Sequence, residues 1–440
     1  MEMQSGGEDD QEEAKDGLSA MAMPLVQFYQ ELKKSGVTDI REIAQRTFDH
    51  QKEQERRGLA STGGYTKSGS SSVAEIWGAF DNSGRECISW CANHYLGLNR
   101  NTRVIERTRE AISVYGTGSG TSGMSGGMCS LHKEIEARIK ELTGKEDVLL
   151  FPTGYSANLG CLSVLPGDND VVLFDRECHA SLIDGIRFSN KKWVPFSHNS
   201  VEDLERKLER LSEIHENVFV VVETAYSMSG DLSPLREICE LKKKYNFLLY
   251  VDEAHTFGFY GKDGAGYCHE LGIMADVDFL MSTLSKATAS LGGFLATDAK
   301  YIPYLRHRAD SYIFQACLSP GDAATILACL DEIRDNPQMI EDLHEKNRYM
   351  RGKLEAAGFD LKNSKSPIIP IFIPDAPTLM AFNRELFEMG IFSVSVVYPA
   401  VKPKDGRIRF IINASHTKEH IDKTVQALEV LGKKYKILGR

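Results

Sequence analysis

Short apolar runs that do not alternate in polarity, separated by stretches of helical spacing, constrain the fold of this chain most strongly. The runs are VLLF from Val148, VVLF from Val171, FVVV from Phe219, LLYV from Leu248 and GFLA from Gly293. Strands covered on both faces have this composition because neither face meets water. Between them, segments such as 130–142 and 200–211 space their apolar residues three and four apart, which gathers them on one helix face. The alternation predicts βα units and a mostly parallel sheet covered by helices, an α/β fold over residues 73–310. After Pro320 the pattern changes to long helical stretches, the run 368–373, a helix from Thr378 and short runs ending at 407–412. Residues 311–440 therefore read as a smaller α+β domain.

Ahead of the sheet, residues 1–18 are acidic and polar and are expected to be a disordered tail. Residues 19–72 carry an amphipathic helical pattern from Pro24 to Gln54 and then a Gly/Ser-rich connector, STGGYTKSGSSS. The N-terminus has no basic region followed by an apolar stretch, so it does not read as a secretory signal. A formal charge of -10, with no basic run, argues against a nucleic-acid partner and for a small-molecule one. Nine cysteines without a CxxC pair or a metal-ligand spacing read as reduced thiols in a cytoplasmic protein that binds no metal.

The residues suited to chemistry stand at the ends of the apolar runs. LLYVDEAHTFG, 248–258, sets Asp252 and His255 where a run stops, and a further apolar run leads to the serine-flanked Lys286 in STLSKATASLGGF, 282–294. An amine that binds an aldehyde covalently, with a carboxylate that keeps a pyridine nitrogen protonated, is what pyridoxal phosphate (PLP) requires. In that reading Lys286 binds PLP and later serves as general base, a task for an amine whose pKa is lowered by its site. Asp252 pairs with the pyridinium, His255 donates to the phenolic oxygen of the ring, and Thr283 offers a hydroxyl to the phosphate. Thr153, Gly154 and Tyr155 follow VLLF and open a helix, whose N–H groups suit a phosphate, although a plain strand-to-helix turn has the same sequence character. His179, just past VVLF in FDRECHASLIDG, is either stacked on a cofactor ring or a hydrogen-bonded structural residue; Ser227 in ETAYSMSGD is equally open. Their joint placement after successive strands matches the carboxyl edge of an open sheet, where ligands gather.

Over residues 88–438 the chain resembles the α-oxoamine synthases, fold-type I PLP enzymes. The landmarks are CANHYLGL from Cys91, YGTGSGTSGMSGG from Tyr115, LHKEIE from Leu131, HASLIDG from His179, YSMSGDLSPL from Tyr226, VDEAH from Val251, TLSK from Thr283 and RIRFIINASHT from Arg407. The resemblance implies condensation of an amino acid with an acyl-CoA, with release of CoA and carbon dioxide, to give an α-amino ketone. It places Asn93 and Arg409 on the amino acid carboxylate, His179 on the cofactor ring, and Gly154, Tyr155 and Thr283 on the phosphate. It sets His132 near the site among the substrate-binding residues and Ser227 among those that hold the cofactor. It also implies a homodimer with shared active sites, in which Gln315 reaches the partner's phosphate, and for a lipid product it allows peripheral membrane contact.

Departures from the family pattern fall close to these positions. Gln315 stands where Ser or Thr is common, Thr288 and Ala289 replace an aromatic–glycine pair, His94 replaces a frequent asparagine, and Gly123 replaces an arginine of several branches. SHNSVEDLERKL from Ser197 and DSYIFQACLSP resemble serine palmitoyltransferases, whereas CANHYLGL and VVYPAVKPKDGRIR resemble glycine C-acetyltransferases, and the absent arginine resembles 8-amino-7-oxononanoate synthases. Serine and a long acyl chain are the expected substrates; another amino acid or a carrier-protein thioester stays open. An aminotransferase and a non-catalytic partner subunit are disfavoured, by HASLIDG with the VDEAH histidine and by the presence of Lys286 respectively.

Overall fold

The computed structural model describes residues 25–56, 64–80, 83–398 and 400–439. The acidic tail 1–18 lies outside the described residues, as does the start of the Gly/Ser-rich connector. The single amphipathic stretch expected from Pro24 to Gln54 forms two helices, Leu25–Lys34 and Ile40–Arg56. Asp39 starts the second one, its Oδ1 accepting from the Arg41 N–H at 2.9 Å, and a short acceptor ahead of a helix is a start signal that periodicity alone does not register.

Strands β1 (Tyr65–Thr66), β2 (Val73–Trp77) and β3 (Arg85–Ser89) pair antiparallel outside the central sheet. Seven strands then build the central sheet: β4 (Asp147–Phe151), β5 (Val171–Asp175), β6 (Lys192–Phe196), β7 (Val218–Glu223), β8 (Leu248–Asp252), β9 (Phe279–Thr283) and β10 (Gly293–Thr297). Their order is β4-β10-β9-β8-β7-β5-β6. β10 runs antiparallel to both of its neighbours, and the pairs β9–β8, β8–β7, β7–β5 and β5–β6 are parallel. In the C-terminal part, β11 (Ile368–Phe372), β13 (Val394–Val396) and β14 (Arg407–Ile411) form an antiparallel sheet, while β12 (Ile391–Phe392) adds to β3.

Alternate residues of the central strands enter two different cores, as a two-residue period dictates. Val148, Leu150, Leu173, Val220, Val222, Leu249, Val251 and Leu280 pack on one face with Ile135, Leu204 and Ile326 from helices. Leu149, Phe151, Val172, Phe219, Val221, Tyr250 and Met281 pack on the other with Cys161, Leu182 and Leu305. With helices on both faces, β7 is buried at every position. β6, KWVPF, is an edge strand that keeps Lys192 and Trp193 exposed, and only an edge readily accommodates Pro195; its mixed composition hid it from the apolar-run criterion.

Candidate active site

Chain progression along the sheet reverses between β5 and β7, and the crevice beyond the strand ends at such a point is where open sheets bind ligands. β8 ends on Asp252, paired in register with Glu223 of β7 and Met281 of β9. The Asp252 carboxylate is buried and doubly held, Oδ2 accepting from Asn158 Nδ2 and Oδ1 from the Ala254 N–H, each at 2.8 Å. Asn158 cannot turn away: its Nδ2 also donates to Ser181 Oγ at 3.0 Å, and its Oδ1 accepts from Tyr250 Oη at 2.9 Å. Glu223 accepts the His179 backbone N–H. Burial pushes the Glu223 carboxyl well above its ordinary value, and Asp252 adds to the rise, as expected when two buried acids share one site.

Around Asp252 the structure gathers the two histidines and the lysine. His179 caps the helix Ala180–Phe188, its Nδ1 accepting from the Ser181 N–H at 3.2 Å, while the residue remains exposed. Loss of hydration lowers its pKa, Asp252 opposes this and Lys286 adds to it. His255 is buried, with Nδ1 2.7 Å from Tyr95 Oη. With Tyr95 donating, the ring proton sits on Nε2. Burial holds His255 well below its ordinary value, with Lys286 and Arg409 adding their positive charges, so the ring is neutral at pH 7. Lys286 lies in the turn after β9, half-buried; desolvation lowers its amine to about 8 against the upward pull of Asp252 and Glu223.

The other end of the crevice has the form of an anion site. Thr153 caps the helix Gly154–Val164, Oγ1 accepting from the Ser156 N–H at 3.0 Å. Gly154 is required by close packing: a Cβ there would sit 2.7 Å from Thr283 Cβ and 3.0 Å from Thr283 Oγ1. Tyr155 is exposed and bonded to Asp184, with its ring edge-on to His179 at 6.4 Å. Thr283 Oγ1 lies 2.8 Å from Ser285 Oγ and donates to the Gly292 carbonyl at 3.1 Å. Beyond the lysine, Thr288 is buried and satisfied by the Leu284 carbonyl at 2.7 Å, whereas Ala289 has φ +48°. A left-handed alanine is strained, so Ala289→Gly should stabilise the fold by about 0.5–1 kcal/mol, read as a raised midpoint of denaturant unfolding.

Two of the residues expected on a carboxylate have buried polar atoms without a partner, Asn93 Oδ1 and Arg409 Nε. Arg409 Nη1 donates to the Ser227 carbonyl at 3.0 Å, so Ser227 meets the site through its backbone. His132 differs from its expectation. Its Nδ1 accepts from the Cys129 N–H and its Nε2 donates to the Leu318 carbonyl, each at 3.0 Å, which leaves neither nitrogen for a substrate. Gln315 is exposed beside a small cavity that Gly123, His132, Tyr312 and Cys317 also line.

Three contributors escaped the sequence reading. Tyr95, two residues after Asn93, holds His255; Asn158 holds Asp252; Glu223 holds His179. Glu223 follows an apolar run just as Asp252 does, which is the signal that marks it, whereas the amide of Asn158 sits in an apolar helical stretch with nothing in its spacing to distinguish it. The set supplies what PLP needs: a lowered amine, a fixed buried carboxylate, an open imidazole and a glycine-floored helix start. The unpaired Nε–H of Arg409 suits a substrate carboxylate, and the unpaired Oδ1 of Asn93 is an acceptor left for a donor in the same crevice.

The profile of the aminotransferase class I and II family matches residues 85–428. A serine palmitoyltransferase of Bacteroides ovatus is 38% identical over 345 residues, which are 78% of this chain and 87% of that protein. An 8-amino-7-oxononanoate synthase of Thermoanaerobacter pseudethanolicus is 34% identical over 355 residues, 81% of this chain and 90% of that protein. The solved structure of serine palmitoyltransferase from S. paucimobilis with a bound PLP–myriocin aldimine matches with a TM-score of 0.82 at 29% identity, covering 94% of this chain and 98% of that one.

Proposed function

The chain belongs to the aminotransferase class I and II family, within its α-oxoamine synthase branch, and on that premise we propose that it condenses serine with a long-chain acyl-CoA, palmitoyl-CoA foremost. It is a PLP-dependent acyltransferase. The observation that carries the reading is the gathering of Asp252, His255 and Arg409 around the Lys286 amine. The choice of serine and a long acyl chain draws on the greater likeness to the serine palmitoyltransferases.

Bound in this crevice, PLP supplies an electron sink for the carbanion of an amino acid. Lys286 would hold it covalently, and its free amine, lowered by burial, would accept the α-proton of the amino acid. Asp252, fixed by Asn158 and the Ala254 N–H, would pair with the ring nitrogen. His255, neutral and oriented by Tyr95, would donate from Nε2 to the phenolic oxygen, and His179 would cover the ring. Thr283 and the turn Thr153–Gly154–Tyr155 would hold the phosphate. Asn93 and Arg409 bind the amino acid carboxylate, the arginine through its unpaired Nε and the rest of its guanidinium. In a homodimer a second copy of the chain would bring its Gln315 to the phosphate.

Arg409→Ala should raise the KM for the amino acid about 30-fold, the cost of a lost hydrogen-bonded charge, while the KM for acyl-CoA changes little. The assignment is tested by CoA release across serine, glycine and alanine, each with acyl-CoAs from acetyl to palmitoyl. Serine with palmitoyl-CoA is expected to be the most productive pair. An 8-amino-7-oxononanoate synthase is the second reading, supported by the relatives of that name, and preference for alanine would establish it. Conversion of PLP to its amine form by an amino acid alone would replace both with a transaminase.

Among the described residues no helix is long and apolar enough to cross a membrane.

A further inference from the structure

Behind Arg409 lies a charged cluster that none of the roles above uses. After β7 the chain makes a small hairpin closed by the bridge Ala225–Leu232, with the Tyr226 N–H donating to the Asp231 carbonyl at 3.0 Å and the Gly230 N–H to the Tyr226 carbonyl at 2.8 Å. One side of this hairpin faces the C-terminal sheet. Its Ser227 carbonyl accepts from Arg409 Nη1 at 3.0 Å, and its Met228 carbonyl from Arg407 Nη1 at 3.2 Å. The Gly230 carbonyl accepts from the Lys365 and Ser366 N–H groups at 2.9 and 3.0 Å and from Ser366 Oγ at 2.9 Å. Gly230, at φ +72°, leaves no room for a side chain, since a Cβ would meet the Ile368 carbonyl oxygen at 2.2 Å. The hairpin is thus the piece through which Arg409 is held against the central sheet.

On its other side the hairpin is pinned by His198, from the loop after β6. His198 Nδ1 lies 3.0 Å from Asp175 Oδ1 and Nε2 lies 3.2 Å from Asp231 Oδ2, with Glu177 Oε2 at 3.9 Å. The Tyr226 ring meets the imidazole edge-on at 4.4 Å. Asp175 ends β5, is fully buried, and is fixed by the Glu177 and Asn199 N–H groups, each at 2.8 Å. Both ring nitrogens face carboxylate oxygens, which accept only, so both must donate and the ring is an imidazolium. Burial opposes that charge, yet the hydrogen bonds to Asp175 and Asp231 and the field of Glu177 lift the group to about 10. Arg407 is the cation on the far side, its charge offset by Asp405, Glu177 and Asp231.

We infer that His198 is a positioning residue for the amino acid carboxylate: by tying Asp231 to Asp175 it fixes the hairpin whose Ser227 carbonyl aims Arg409. The inference rests on the assignment of Arg409 to that carboxylate. A neutral side chain in its place leaves two buried carboxylates without their shared cation, and an ion cluster that loses one partner is destabilised locally. The loss should reach the substrate only through the group that Arg409 binds.

The test uses the PLP-loaded protein and two small ligands, L-serine and ethanolamine, the same amine and hydroxyl without the carboxylate. Binding is followed by the change in the visible absorbance of the cofactor. In His198→Gln the affinity for L-serine should fall about ten-fold, the factor given by a loss of about 1.4 kcal/mol, while that for ethanolamine changes less than about two-fold. Asp231→Asn keeps the size of the residue and should show the same split. Amide hydrogen exchange on the substrate-free protein should quicken at Tyr226 and Gly230 in both variants. Unchanged L-serine affinity overturns the inference alone, and so does an equal loss for both ligands, which marks a merely structural role. If neither variant folds, His198 serves the fold rather than Arg409, and the inference also fails. A wild-type protein that responds to no amino acid removes the reading of Arg409 and this inference with it.

Discussion

Lys286→Ala should abolish covalent attachment of PLP and slow the condensation about ten-thousand-fold, the upper range for a positioned general base. Borohydride reduction followed by mass spectrometry of the peptide around position 286 reports the first effect, and CoA release the second. The fold should persist, because the lysine is half-buried in a turn and contributes no side chain to the cores on either face of the sheet. The wild-type amine makes a sharper statement. Burial lowers it to about 8 while Asp252 and Glu223 hold it up. PLP added to the cofactor-free chain should therefore attach at a rate that rises with pH to a midpoint near pH 8, where an ordinary lysine would still be protonated. Retained attachment in the alanine variant would place the covalent link on another lysine.

Asp252→Asn is expected to cost about a thousand-fold in turnover, as for loss of a preorganised charge at a reacting centre. An amide can keep the Ala254 N–H bond, but its own NH2 then faces the NH2 of Asn158. That group cannot rotate without breaking the bonds to Ser181 and Tyr250. The substitution also removes a negative charge that Glu223 and Lys286 both feel. Glu223 should fall back toward the ordinary carboxylic range, and the Lys286 amine should drop further. The attachment midpoint thus moves to lower pH in the variant, and near-normal turnover would remove Asp252 from the ring nitrogen.

The apolar runs were legible because strands covered on both sides carry one kind of residue throughout, as in FVVV of β7. What resisted was whatever took its character from neighbours distant in sequence. β6 is half polar because it lies at the edge, and Val73–Trp77, assigned from sequence to the large α/β region, pairs instead with Arg85–Ser89 in a sheet completed by Ile391 and Phe392. Lys286, Asp252 and His255 announced themselves through position after an apolar run. Tyr95 and Asn158 act only through tertiary contact, and no local pattern marks a residue whose task is to hold another. His132 shows the converse: a histidine on a recognisable landmark spends both nitrogens on backbone groups.

The insertion of β10 between β4 and β9 has a consequence for synthesis. Gly154, which opens the helix after β4, touches Thr283 and the backbone of Gly293, so the phosphate end is assembled from segments well over a hundred residues apart. A nascent chain that has not yet released Gly293–Thr297 from the ribosome has β4 and β9 but no strand to join them. The phosphate end of the crevice is thus complete only once Gly293–Thr297 has joined the sheet.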